Sequence, residues 1–329
     1  MVKKMKDKLK KNIIFKKIVY FIRKFEYLFT FIEDYIYFIK NYSNANDSFG
    51  KEKYKMLLLV HSIEKGMTNS KPRIFGESKI DELIMYLNKY ASDEYSNEFE
   101  VIESYNILRS YKKYYKDNNL PFPKIISKID EFLKKHNNIK KINLDSIKYK
   151  INDTNIDYDN FISSKHSTRK YNDTKLDDEV VEKCSKIAIK SPSACNRQMC
   201  KIYYIGSSKK SYVIDIVHGF GNFDLDNANI FIITFDMSSF TFAGERNQGY
   251  LNCGIFATNF TNALHSFGIG SCMLQFANSY KEEKKLKKKL NIPKNEKIAL
   301  VISAGYYKEE TIIPKSIRRE LVDFYKKVI

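Results

Sequence analysis

The chain has 329 residues, enough for one large domain or two ordinary ones with an ample core, and 43% of them are apolar. Its 57 Lys+Arg against 39 Asp+Glu give a formal net charge of +18, which favours an anionic partner. That lysine-rich excess is diffuse, without zinc-finger spacing, an RRM-type aromatic motif or an isolated recognition helix, so nucleic acid is set aside.

Residues 1–42 read as a basic amphipathic helix, with Ile18, Phe21, Phe25, Leu28, Ile32, Tyr35 and Ile39 recurring in steps of three and four. Lys16, Lys17, Arg23, Lys24, Glu26, Glu33 and Asp34 interrupt it too often for a membrane span. Two readings stay open. The helix packs on the chain's own body or on a partner subunit, or it lies in an anionic membrane interface with Lys3 to Lys17 as the electrostatic contact. No small-residue cleavage site follows a clean apolar run, so a cytoplasmic protein without a cleavable signal is expected, at most peripheral at the inner membrane face. Five scattered cysteines (Cys184, Cys195, Cys200, Cys253 and Cys272) without a CxxC pair argue against a disulfide framework or structural zinc; each is expected to be a small buried hydrophobe.

Residues 43–150 read as a helical N-terminal region. A linker over Asn41–Gly50 leads to a helix over Tyr54–Glu64 that stops at Lys65-Gly66. The run His61-Ser62-Ile63-Glu64-Lys65-Gly66-Met67 is either a helix end whose cations complement the dipole or part of a site. Helices over Lys79–Ala91, Ser96–Lys116 and Lys124–His136 follow, interrupted by Leu120-Pro121-Phe122-Pro123; no recognisable chemistry falls between Ser92 and Asn160.

Short apolar strands alternate with helices from Phe161 onward, the pattern of an α/β layer fold. The order is a helix over Leu176–Ala188, a strand over Lys201–Ile205, a helix near Ser208–His218 and a strand over Ile230–Phe235. A small-residue helix over Gln248–Phe267, a strand over Ser271–Phe276, a helix over Tyr280–Leu290, a strand over Ile298–Ala304 and a last helix to Val328 complete it.

Four elements carry chemistry. Lys165-His166-Ser167-Thr168-Arg169-Lys170-Tyr171 concentrates cations and hydroxyls suited to a phosphate. Pro192-Ser193-x-x-Asn196-x-Gln198 offers carboxamides able to read the edge of a heteroaromatic ring. Gly268-Ile269-Gly270 leads into Ser271-Cys272-Met273-Leu274-Gln275, where glycines let backbone amides approach a ligand. Lys315 and Arg318 form a second cationic pair suited to a phosphate.

In this order and spacing the motifs resemble those of the FMN-dependent nitroreductase family over about Phe161 to Ile329. The resemblance implies an α+β fold, a three-layer sandwich with a mixed central sheet at 160–329, preceded by the N-terminal helical region. It implies that Lys165, His166 and Ser167 hold the ribityl phosphate end of FMN, and that Lys315 and Arg318 neutralise the phosphate. Arg169 would lie by the pyrimidine edge of the isoalloxazine. Pro192, Ser193, Asn196 and Gln198 would contact the flavin from the other subunit of a homodimer, and the main chain at Met273, Leu274 and Gln275 would face N5. The helix over Gln248–Phe267 would be the core dimer helix. The implied activity is ping-pong hydride transfer from NAD(P)H through FMN N5 to a small acceptor, with no side chain required as a general acid. His61–Met67 is similar to an extension of nitroreductase-like proteins linked to surface-polysaccharide synthesis. Departures are Lys165 in place of the first arginine, Met199-Cys200 in place of a Pro-aromatic pair, and a short segment between Phe235 and Gln248 where a substrate lid often lies. The alternative is a membrane-associated accessory or scaffold protein that keeps the flavin fold without turnover.

Overall fold

The computed structural model describes residues 13–42, 48–68, 71–92, 94–145, 157–221, 223–310, 318 and 320–328. Four strands, β1 (Cys200–Ile205), β2 (Asn229–Asp236), β3 (Ile269–Gln275) and β4 (Glu296–Tyr306), form one sheet in the order β1-β2-β4-β3. Every pairing between these strands is antiparallel, and the expected mixed sheet reduces to one parallel bridge, Ser167 to Ser271, on the free edge of β3. β2 owes its central place to an unbroken apolar run. Phe231, Ile233 and Phe235 face one hydrophobic cluster and Ile230 and Ile232 the other, as the two-residue period of a strand requires.

The helices of this half fill both faces. α7 (Asp178–Ala188) and α9 (Gln248–Ser266) contribute Val181, Cys184, Cys253, Phe256 and Phe260 to the cluster on one face. α8 (Ser207–Ile214) and α10 (Tyr280–Leu290) contribute Val213, Leu286 and Leu290 to the other. The result is a three-layer α+β sandwich. Gly249 in α9 lets that helix sit on the sheet, because a Cβ there would come within 2.2 Å of the Phe235 ring. In place of the expected final helix to Val328, the described C-terminal residues contain one short exposed turn, Leu321–Phe324.

The N-terminal region starts with α1 (Ile13–Tyr42), of which the side chains of Phe21 and residues 28–41 are described. It continues with α2 (Phe49–Met67), α3 (Glu77–Tyr90), α4 (Phe99–Asp117) and α5 (Ile125–Lys135), followed by the short α6 (Tyr158–Ser164). A third hydrophobic cluster lies among α2 to α5. α2 serves two cores at once. Tyr54 and Leu57 belong to the cluster on the sheet, whereas Met56, Val60, Ile63 and Met67 belong to the helical one. Tyr54 and Leu57 are three apart and the other four repeat in steps of four and three, so the sets occupy two sides of one helix. The Tyr54 hydroxyl donates to Asp236 Oδ2 at 3.0 Å and ties α2 to the end of β2.

Gly66 does not end α2, contrary to the expectation from Lys65-Gly66. The helix runs to Met67 and Thr68 caps it. A Cβ at Gly66 would lie 2.0 Å from the Phe75 ring, so the glycine is there for a close approach.

Candidate functional site

The cationic stretch begins where α6 ends. Lys165 follows the last turn, and from Ser167 the chain lies along the unpaired edge of β3. Thr168 N–H donates to Ser271 O at 3.0 Å, and Asn172 N–H donates to Tyr306 O at 3.1 Å. Between these anchors Tyr171 is fully buried, its hydroxyl within 2.7 Å of both Thr168 O and Ser303 Oγ. Gly305, opposite Gly270 across the β3–β4 ladder, makes room for it. A Cβ at Gly305 would lie 2.6 Å from Tyr171 Cγ, and one at Gly270 would lie 2.9 Å from Thr168 Cβ. Gly270 thus accommodates the cationic stretch itself.

Lys165 is half-buried. Its ammonium donates to Thr261 Oγ1 on α9 at 3.0 Å, and burial pushes its pKa below the ordinary lysine value. Among the described residues no carboxylate lies within ion-pair distance of Lys165 or Arg169. The Arg169 guanidinium lies 5.7 Å from the centroid of the Phe223 ring. Burial raises the Cys272 thiol, with the Arg169 charge and the Ser167 hydroxyl acting in opposition, so both side chains reach β3. His166 and Ser167 are exposed. On β3 itself Leu274 is buried, while Met273 and Gln275 are exposed along the same edge strand. The edge therefore combines cations without a carboxylate in ion-pair distance among the described residues and the exposed Ser167, a donor set that fits an anionic, phosphate-bearing ligand.

The loop Ser191–Gln198 lies elsewhere. It precedes β1, the opposite edge strand, at the end of the sheet where Cys200 pairs with Phe235. From the Ser271 level of β3 this is three strands across, about 14 Å, and six residues along β2, roughly 20 Å. Within one chain the two sets of predicted residues do not meet. Pro192, Asn196 and Gln198 are exposed; Ser193 is half-buried and accepts from Gln198 N–H at 2.9 Å. With Ile189, Cys200, Asn252 and Phe256, residues of this loop line a cleft of about 180 Å³.

This loop is strained. Cys195, Asn196 and Gln198 have φ of 52°, 51° and 50°, a conformation that non-glycine side chains disfavour. Arg197, between them, is outside the residues that the sequence motif singles out. Its side chain is fully buried, and it donates to Ala194 O at 3.0 Å, to Ser239 O and to both carboxylate oxygens of Glu245. Burial would raise the Glu245 carboxyl, but hydrogen bonds from Arg197 and Thr241 hold it below the usual glutamate value. A cation buried beside a turn of polar residues is a signal, yet one cation among 57 carries little weight without its partner. The expectation of a small buried hydrophobe holds for Cys184, Cys253 and Cys272, whereas Cys195 is exposed and Cys200 is half-buried, 3.6 Å between sulfurs from Cys253.

Lys315 lies outside the described residues. Arg318 is described and exposed. Among the described residues no group of three or more His, Cys, Asp or Glu could hold a metal ion, and no helix is long and apolar enough to cross a membrane.

Residues 162–220 and 218–306 match the model of the nitroreductase family. An Archaeoglobus fulgidus protein named in the class NADH dehydrogenase/NAD(P)H nitroreductase is 28% identical over 152 residues, 45% of this chain and 84% of that one. An FMN-dependent nitroreductase structure from Clostridium difficile is 24% identical with a TM-score of 0.40, covering 47% of this chain and 91% of that one. A nitroreductase-type structure from Desulfovibrio desulfuricans in complex with FMN is 20% identical with a TM-score of 0.46, covering 54% and 99%. The similarity to the nitroreductase family thus lies in residues 162–306, the half of the chain that holds the sheet.

Proposed function

We propose that the chain is an FMN-dependent oxidoreductase of the nitroreductase type, reduced by NAD(P)H and passing electrons to a small acceptor. The observation that carries the reading is the edge of β3, where Lys165 and Arg169 stand with no carboxylate in ion-pair distance among the described residues. The family match and the name of the Archaeoglobus relative support it. FMN, when bound, supplies the redox chemistry, accepting a hydride and returning it.

The chain's own residues bind and orient. Lys165, His166 and Ser167 would hold the phosphate end, with Lys315 and Arg318 adding charge. Arg169 would stabilise negative charge on the reduced ring. Backbone groups at Met273, Leu274 and Gln275 would face its reactive edge. Pro192, Ser193, Asn196 and Gln198 would close the site from a second copy, since the loop precedes the opposite edge strand, three strands or about 14 Å across the sheet from the β3 edge of its own chain. This predicts a homodimer with two sites, each built from opposite edges of two sheets. The proposal extends to an acceptor from surface-polysaccharide metabolism, on the resemblance drawn from the His61–Met67 motif alone.

The deciding experiment is a visible absorbance spectrum of the purified protein followed by anaerobic NAD(P)H. A yellow protein that bleaches is expected. A protein that stays colourless when offered FMN would refute the reading, and a yellow one that resists both nicotinamides would favour an accessory role. Arg169→Glu is expected to abolish FMN retention or lower the flavin potential; unchanged binding and potential would remove its assigned role.

A further inference from the structure

Two cysteines far apart in sequence meet at the end of the sheet beside the cleft. Cys200 is the first residue of β1, an edge strand, and pairs with Phe235 of β2. Cys253 lies on α9, and its thiol donates to the carbonyl of the preceding β2 residue, Thr234, at 3.4 Å. The close approach of Gly249 to the Phe235 ring, one turn earlier on α9, brings the helix down onto the sheet at this level. The two sulfurs are 3.6 Å apart. A disulfide needs about 2.0 Å, so a bond closes over roughly 1.6 Å of further approach.

The sulfurs differ in access. Cys253 is fully buried, and its contact with Cys200, then burial, push its thiol up, so it keeps its proton. Cys200 is half-buried and lines the cleft of about 180 Å³ together with Ser191, Ser193, Gln198 and Asn252. An oxidant therefore reaches Cys200 first. The cleft is small, and among the described residues its wall carries hydroxyls and carboxamides but no charged side chain. That lining suits a small neutral hydroperoxide rather than a bulky anionic disulfide.

We propose that Cys200 and Cys253 form a reversible redox pair, oxidised to a disulfide by small hydroperoxides that enter the cleft. Cys200 Sγ attacks a peroxide oxygen, the O–O bond breaks, and Cys200 becomes a sulfenic acid while the thiol proton leaves with the released alcohol or water. Cys253 Sγ then attacks Cys200 Sγ; its proton departs with the hydroxyl as water, and the disulfide forms. Two thiols are oxidised and one peroxide is reduced. The cross-link ties the head of β1, two residues after Gln198, to α9. The inference does not rest on the flavin reading, because neither cysteine is among the residues assigned to the flavin.

The test is treatment of the full purified chain with hydrogen peroxide, then alkylation of the remaining thiols in denaturant and peptide mass mapping. Joint loss of alkylation at Cys200 and Cys253 is expected, with a peptide linking the two that dithiothreitol separates. Cys195 is exposed, serves as the internal reference and should stay outside the link. Cys253→Ser should leave Cys200 as a sulfenic acid that dimedone captures, and Cys200→Ser should leave Cys253 free for alkylation. Peroxide treatment of the urea-unfolded chain should lose the preference for this pair. Absence of the Cys200–Cys253 link in the folded chain would overturn the proposal, as would a link no more frequent than in the unfolded chain. So would a Cys253→Ser chain with the native circular dichroism spectrum and no dimedone adduct at Cys200.

Discussion

Arg197→Met tests what holds the strained loop. The substitution keeps an unbranched apolar stem and removes the guanidinium. Lost with it are the bonds to Ala194 O and Ser239 O and the paired contact with Glu245. Glu245 would keep only the Thr241 N–H at 2.8 Å and the Thr241 hydroxyl at 3.1 Å. Breaking a buried ion pair from one side costs about 3–5 kcal/mol, reduced here to about 2–4 kcal/mol because Glu245 keeps those bonds and some solvent contact. That is a large part of the roughly 5–15 kcal/mol available to a domain. The loop should then relax from three left-handed residues, so flavin retention should fall along with stability. Urea unfolding with absorbance of retained FMN reads both. Glu245→Gln in the same chain should recover part of the stability, since the orphaned charge is gone, and should not restore the loop. The pH dependence has a definite sign. The Glu245 carboxyl is held low in the folded protein, so its contribution is present above the ordinary glutamate value and lost as pH falls through its folded value. The variant should lack that acid-side loss. Wild-type stability and full FMN retention in Arg197→Met would refute the reasoning.

Glu103 offers an opposite sign. Burial, then the charges of Glu64 and Glu100, push its carboxyl up to about 7, and its Oε2 has no hydrogen-bond partner. Its contribution is complete below the unfolded value near 4.5 and is lost as pH rises through about 7. Glu103→Gln should therefore stabilise the protein by about 2 kcal/mol at pH 8 and flatten that loss; urea titrations at pH 5 and pH 8 giving equal shifts would contradict it. Gly305→Ala would place a Cβ 2.6 Å from Tyr171 Cγ, inside a ring fixed by two hydrogen bonds, and should cost about 1–3 kcal/mol. Thermal unfolding checks it, with an unchanged melting temperature as the contrary result.

The layers of the C-terminal half were legible because their signals are local. Ile230–Phe235 announces a strand buried on both faces by being apolar throughout, and Tyr280–Leu290 announces a helix with a Ser279–Glu282 capping box at its start. The misses share another physical character. Gly66 looks like a helix stop until the Phe75 ring is seen against it, and Gly270 looks like a ligand turn until Thr168 and Tyr307 are. Arg197 and Glu103 looked like two charges among many, because their burial depends on elements distant in sequence. For α1 the periodicity was plain but its direction was not. The polar atoms of Tyr37 and Asp34, rather than the apolar stripe, face the body.

α2 bears on why the N-terminal region is present at all. Tyr54 and Leu57 fix one of its sides against the sheet layer, and His61 and Glu64 continue that same side in steps of four and three. His61 Nδ1 and Glu64 Oε2 are 3.6 Å apart, and α2 lies against the turn Ala194–Asn196. The other side is held by Val60, Ile63 and Met67 in the helical core, so α2 cannot shift without disturbing that cluster. Arg197 grips the strained loop from the Glu245 side, and α2 backs its 194–196 turn. Left-handed backbone at Cys195, Asn196 and Gln198 persists only where neighbours over-determine it. The helical region supplies part of that constraint, which makes it a structural component of the loop.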